Sequence, residues 1–275
     1  AVIHLMHSMS ESAPNAPMTL PAPLLSHAQR TPDRVFLEIY SPSTPQQKVS
    51  LRVTYSQLAD SMIAAALFLR DGIGITAGDY VALLAPNSVA YLSFSLGAMC
   101  LGAISINLNW RNPAEVNERL LQNLQPRLLL AGTPFRAEAT AAHSKLGIRV
   151  ALLESVCNMD GISLPFEPPP SAAAEEMTAA ILSRLDPKKP AAVFFTGGTT
   201  GTPKAVPHSH NGLLWFAEAC LKTIPDGFAP GVENAGTVCF TPFFHVMGFV
   251  ANFVFNLHAG ARAALLASHD AKLSP

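Results

Sequence analysis

The chain has 275 residues, 49% of them hydrophobic and only 13% charged, about half the charged share usual for a soluble domain. That length supports one large domain or two modest ones with a substantial core. The net charge of −1 and a pI near 6.8 exclude any strong electrostatic case for nucleic acid or an anionic membrane as partner. The shortage of charge implies that part of the surface is meant to be covered, by further chain or by an oligomeric partner.

Residues 1–20 read as a flexible arm rich in Ser, Ala, Pro and Met; with no Lys or Arg among them, neither a secretory nor a mitochondrial leader is indicated. A helix is predicted over Pro23–Arg30. Strands follow at Val35–Tyr40 and Val49–Tyr55, on either side of a polar turn, Ser41–Gln47. Ser56 is the expected cap of the next helix, in which Leu58, Met62, Ala65, Ala66 and Leu69 recur at helical spacing and which ends near Gly72.

From there strands and helices alternate. Tyr80–Leu84, Ala103–Asn107, Leu128–Ala131 and Arg149–Leu153 read as short buried strands. Between them lie helices at Ser88–Leu101, from an Asn112 cap and Pro113 to about Leu124, and at Phe135–Leu146. Residues 155–190 break the rhythm with four prolines in Pro165–Ser171 and an Ala/Glu-rich run, so they read as a linker or excursion. The rhythm resumes with a strand at Ala191–Thr196, a helix from about Asn211 to Ile224, a strand at Thr237–Thr241, a helix at Met247–Leu257 and a strand at Ala261–Ala267. The expected fold class is α/β, with mostly parallel sheets flanked by helices in two α/β subdomains, 21–154 and 191–275.

Two uncharged stretches, Asn87–Trp110 and Asn234–Ala261, resemble membrane spans in composition. Their Gly, Asn and Pro breaks suit buried helix-then-strand packing instead. Cys100, Cys157, Cys220 and Cys239 have no close spacing and sit mostly in apolar runs, which suggests free thiols of a reducing compartment, a cytoplasmic location and no metal site.

The most informative segment is Thr196-Gly197-Gly198-Thr199-Thr200-Gly201-Thr202-Pro203-Lys204. Its glycines let the backbone turn sharply and bring amides close to a ligand. Thr199, Thr200 and Thr202 add hydroxyls, and Lys204 adds a point positive charge. Converging amides, hydroxyls and an ammonium group are what polyphosphate binding requires. The spacing is not that of the common P-loop, because Lys204 is flanked by Pro203 and Ala205. A second segment, Pro242-Phe243-Phe244-His245-Val246-Met247-Gly248, lies beyond the expected strand ending at Thr241. Open α/β sheets place ligands beyond strand carboxyl ends.

The first segment closely resembles the phosphate-binding signature of the adenylate-forming enzymes, which include acyl- and aryl-CoA synthetases, luciferases and peptide-synthetase adenylation domains. The second is similar to that family's Pro-Leu-Phe-His-x-x-Gly segment. Softer matches run in order through Thr54–Leu58, Gly78–Asn87, Leu101–Ile104 and Ser209-His210, so the likeness covers roughly residues 20–270. It departs at Gly197, where relatives usually carry Ser, and at Ala205, where they usually carry Gly.

The resemblance implies an ATP-dependent ligase, with Mg²⁺, that adenylates a carboxylic acid and passes it to a thiol, usually that of coenzyme A. It implies that Thr196–Lys204 grip the β- and γ-phosphates and that Phe244, His245 and Gly248 border the acid. Adenylation domains that take amino acids place an Asp near the His245 position; no acid occurs between Asn234 and Ala261, so a fatty or aromatic acid is expected. The family's adenine- and ribose-binding segments and its adenylation lysine are not found before Pro275. This implies the front portion of such an enzyme, with no catalytic residue of its own. The alternative is a non-catalytic nucleotide- or acyl-binding module.

Overall fold

The computed structural model describes residues 18–40, 49–158, 164–197, 203–223 and 236–266. The Ser41–Gln47 turn, nearly all of the N-terminal arm and the loop centre Gly198–Thr202 lie outside the described residues.

The first helix, α1 (Pro21–Arg30), begins earlier than expected because a proline is tolerated in a helix's first turn. Strands β1 (Val35–Tyr40) and β2 (Val49–Thr54) pair antiparallel. Helix α2 (Tyr55–Leu67) is capped by Thr54, not Ser56. Gln57 N donates to Thr54 Oγ1 at 3.2 Å and Thr54 N to Gln57 Oε1 at 2.9 Å, a reciprocal capping box. A π-helical turn, Phe68–Ile73, extends it. Then come β3 (Tyr80–Leu84), α3 (Val89–Cys100) and β4 (Ile104–Asn107). Ser88 Oγ caps α3 by accepting from Tyr91 N at 3.1 Å.

Helix α4 (Ala114–Leu124) starts after Pro113 without a side-chain cap; Asn112 instead donates to Asn117 Oδ1 at 3.1 Å. The chain continues through β5 (Leu128–Ala131), α5 (Arg136–Leu146), β6 (Arg149–Leu152) and the short α6 (Leu153–Val156). After α7 (Ser171–Arg184) follow β7 (Pro190–Thr196), β8 (Lys204–Ser209) and α8 (His210–Thr223). Last come β9 (Gly236–Cys239), a π-helical segment Gly248–Val254 that runs into α9 (Phe255–Ala259), and β10 (Arg262–Leu266).

The strands form a six-stranded sheet, β6-β5-β3-β4-β7-β8, and a four-stranded sheet, β2-β1-β10-β9. Each is parallel apart from one antiparallel edge pair, β7 with β8 and β1 with β2. In the larger sheet successive side chains enter two separate cores. Val81, Leu83, Leu128, Leu130 and Phe194 face one; Ala82, Leu84, Leu129, Ile106 and Val193 face the other, where Leu120, Leu121, Ala139 and Ala142 of α4 and α5 cover them. The first core also takes in α2, α3 and the inward residues of the small sheet, among them Leu37, Val53, Ala263 and Leu265. A helical layer is thus shared between the sheets. All twelve residues of α3 are buried. At Gly97 an added Cβ would stand 2.9 Å from the Ala66 backbone N, so α2 and α3 touch at a point only glycine allows.

The sheets do not follow the expected division of the chain. β7, expected to open a second subdomain at residue 191, pairs in parallel with β4 through Ser105↔Ala192 and Ile106↔Val193. β1, expected within 21–154, pairs with β10 through Leu37↔Ala263 and Ile39↔Leu265. Nor is 155–190 an open linker. Met177 and Ile181, one helical turn apart on α7, are buried, and the Phe166 ring lies 5.4 Å from Phe94. Proline and Ala/Glu composition conceals those two anchoring positions. Asn87–Trp110 folds as α3 and β4, and no helix among the described residues is long and apolar enough to cross a membrane.

Candidate functional site

The carboxyl ends of β3, β4 and β7 lie side by side, and both segments singled out in the sequence gather there. The Gly/Thr segment was expected to lead from a strand into a helix. It is instead the connection of a β-hairpin: Thr196 at the end of β7 is the direct partner of Lys204 at the start of β8. Both stems are therefore tied down by ladder hydrogen bonds.

Thr196, Gly197 and Lys204 are exposed and Pro203 is half-buried. Among the described residues Lys204 has no ion pair or side-chain hydrogen bond, which leaves its ammonium group available. A Cβ added at Gly197 would meet nothing within 4 Å, so glycine there is not forced by crowding and a Ser hydroxyl would fit. The remaining expected phosphate contacts, Gly198, Thr199, Thr200, Gly201 and Thr202, lie outside the described residues.

β8 leads directly into α8, where Ser209 Oγ accepts from Gly212 N at 3.1 Å. His210 is only 1% exposed, and its Nδ1 accepts from Leu20 N at 3.2 Å. Burial lowers its pKa to about 4, against a weaker opposing pull from Asp186. A neutral imidazole accepting at Nδ1 carries its proton on Nε2. This histidine therefore docks the chain entry onto α8 rather than facing the loop.

The second segment is held by a residue far away in sequence. Asn87 Nδ2 donates to Thr241 O at 3.1 Å, and Phe243 N donates to Asn87 Oδ1 at 2.7 Å. Phe243 points inward and is fully buried, 5.8 Å from the Tyr91 ring. Phe244 is half-buried and meets Trp110 edge-on at 5.9 Å. His245 is exposed, with Nδ1 accepting from Met247 N at 3.2 Å. Gly248 is buried beneath the turn, where an added Cβ would collide with the Pro242 carbonyl oxygen and stand 2.8 Å from that of Thr241. Phe244 and His245 thus present side chains outward, while Gly248 allows the backbone to close.

A buried polar chain joins the two segments from below. Tyr91 Oη donates to Asn107 Oδ1 at 2.7 Å, and Asn107 Nδ2 donates to Val193 O at 3.3 Å, three residues before Thr196. Phe249, which follows the turn, packs 5.6 Å from Phe194 of β7. Asn87, Tyr91, Asn107 and Trp110 were not picked out as site residues in the sequence. The available signal was position, since Asn87 and Trp110 fall just past the ends of β3 and β4.

An apolar cavity of about 230 Å³ opens between α8 and the π-helical segment, lined by Phe216, Ala217, Cys220, Thr237, Val250 and Phe255 among others. Trp215 and His258 do not line it. Trp215 is 64% exposed, and His258 is half-buried with its pKa lowered by burial against an opposing effect of Glu218. Among the described residues no cluster of three or more His, Cys, Asp or Glu side chains could hold a metal ion.

Comparison with known proteins bears on the family and the fold. A family model described as "AMP-binding enzyme" matches residues 24–275. An oxalate–CoA ligase of Arabidopsis thaliana is 30% identical over 253 residues, 91% of this chain and 45% of the relative. The N-terminal domain of FACL13 from Mycobacterium tuberculosis superposes with a TM-score of 0.69 at 20% identity, covering 92% of this chain and 58% of that one. ATP-bound MatB from Rhodopseudomonas palustris gives 0.68 at 19% identity, covering 92% and 46%. The chain spans less than half the length of the curated relatives it matches.

Proposed function

Because the chain belongs to the AMP-binding enzyme family, we propose that it supplies the phosphate hairpin and acid-lining turn of an ATP-dependent, AMP-forming carboxylic acid–CoA ligase. The observation that carries this reading is the hairpin loop at the carboxyl end of a parallel sheet, rooted by the Thr196–Lys204 pair, beside a turn that presents Phe244 and His245.

In that reaction a carboxylate oxygen attacks the α-phosphorus of ATP, the bond to the bridging oxygen breaks, and pyrophosphate leaves with the electron pair. Charge grows on the leaving group, so what helps most is placement and fixed positive potential. Backbone amides of Gly197–Gly201 and the hydroxyls of Thr199 and Thr200 would hold the β- and γ-phosphates, with Thr196, Thr202 and Pro203 shaping the loop. Lys204 would offset their charge. Mg²⁺ would neutralise charge on the phosphates. Phe244 and His245 would border the acid, with Gly248 shaping the turn. The apolar cavity beside α8 and the lack of an acid from Asn234 to Ala261 favour a fatty or aromatic carboxylic acid. Coenzyme A is the proposed thiol acceptor.

Calorimetric titration of the chain with ATP·Mg²⁺ and with pyrophosphate tests this. Lys204→Ala is expected to weaken both by about tenfold, the cost of one charge-assisted contact, without shifting the melting temperature, since the side chain is exposed. Wild-type protein that binds neither ligand would end the proposal. Acid-dependent ATP–pyrophosphate exchange separates a ligase from a module that only binds.

A further inference from the structure

We propose that Asn87 is a positioning residue that sets the acid-lining turn against the phosphate hairpin, and that its effect falls on acid binding rather than on nucleotide binding. This rests on the function proposed above. Asn87 follows β3, an interior strand held between β5 and β4, so its backbone is anchored in the stiffest part of the sheet. Its side-chain amide uses one donor and one acceptor on a single backbone stretch, Thr241 O and Phe243 N. The two bonds straddle Pro242, which has no N–H to offer. Asp lacks the donor, and Gln would carry the amide one methylene too far.

The consequence is directional. With Phe243 drawn inward against Tyr91 and Phe249, the next residue must turn the other way, which seats Phe244 on Trp110 and leaves His245 at the surface. The phosphate hairpin hangs from β7 by separate bonds, through Asn107 to Val193 and through the β8 ladder. Asn87 touches none of these. Loosening it should therefore move the turn and spare the loop.

Trp110 and Trp215 are the two tryptophans of the chain, so a Trp215→Phe background leaves Trp110 as an emission probe seated against Phe244. In that background Asn87→Ala is expected to increase acrylamide quenching of Trp110. It should weaken octanoate and benzoate binding, measured by calorimetry, about tenfold for two lost backbone contacts, while ATP·Mg²⁺ affinity stays within about twofold, below one such contact. Asn87→Asp, which keeps the acceptor for Phe243 N, should recover part of both effects. Unchanged Trp110 quenching, or equal losses of acid and ATP affinity with a lower melting temperature, would overturn the proposal. If the wild type binds neither acid nor ATP, the functional reading fails first, and Trp110 quenching alone decides whether Asn87 holds the turn.

Discussion

The six-stranded and the four-stranded sheet share one helical layer, yet they meet solvent in opposite ways. Interior strands of the larger sheet are buried on both faces: β4 and β5 have no exposed residue, and neither does the helix α3 that covers them. The smaller sheet is buried on one face only. Along β1 the buried Leu37 and Ile39 alternate with Glu38 and Tyr40, and Glu38 pairs outward with Arg52 at 3.1 Å. Further across the same face charge gives way to apolar surface: Glu38 is registered on Ala264 and Ala264 on Val238. Val238 is 63% exposed, and Phe240 just beyond is 78% exposed. Val238 and Phe240 thus leave apolar side chains open around β9. An apolar face of that kind marks a surface suited to being covered.

The sharpest contrast to test is the shared helical layer. Phe94 on α3 is fully buried between Phe68 and Phe166. Phe94→Ala should cost about 3–5 kcal/mol through lost transfer energy and a residual cavity, read as a lower urea midpoint. A smaller loss would mean that the layer between the sheets can collapse around the gap.

An intermediate effect is expected from pH. The folded pKa of His210, about 4, lies below its ordinary value of 6.5, so the unfolded chain takes up the proton first. The associated stability is complete above pH 6.5 and is lost as pH falls toward 4. Its full size is on the order of 3 kcal/mol. Urea denaturation at neutral and acidic pH should show a smaller acid loss for His210→Gln, which keeps an acceptor for Leu20 N. Equal losses in variant and wild type would refute this assignment.

The smallest change should come from the open face of the other sheet. Phe240→Ser should alter stability by less than about 0.5 kcal/mol yet reduce self-association in sedimentation velocity. A substantial destabilisation would show that Phe240 is covered in solution.

How much of this was readable in advance varied by element. Most strands of the larger sheet and helix α3 were visible as short apolar runs, and their limits agree within a residue or two. Thr54 was missed as a cap because Ser56 is an equally good capping residue; the capping box with Gln57 decides between them. β8 was missed because Lys-Ala-Val-Pro-His-Ser has no strand alternation. It is a strand because β7 offers its edge, and Pro207 is tolerated because β8 is itself the sheet's last strand. In the candidate site, the Gly/Thr loop and the Phe244–His245 turn could be read from residue types, while their anchoring at Asn87, Asn107 and the Thr196–Lys204 pair could not.

Contiguous chemistry and periodicity were enough to determine the α/β alternation, the family likeness and the two candidate site segments, since each depends on residues within a few positions of one another. Tertiary structure alone decided which sheet β1 and β7 would join, made α7 part of the core, and brought Asn87 to a turn 154 residues downstream. Strand partnership and side-chain clamps are settled by whichever distant surface buries the most apolar area while satisfying every backbone group, and no local window of sequence contains both halves of that choice.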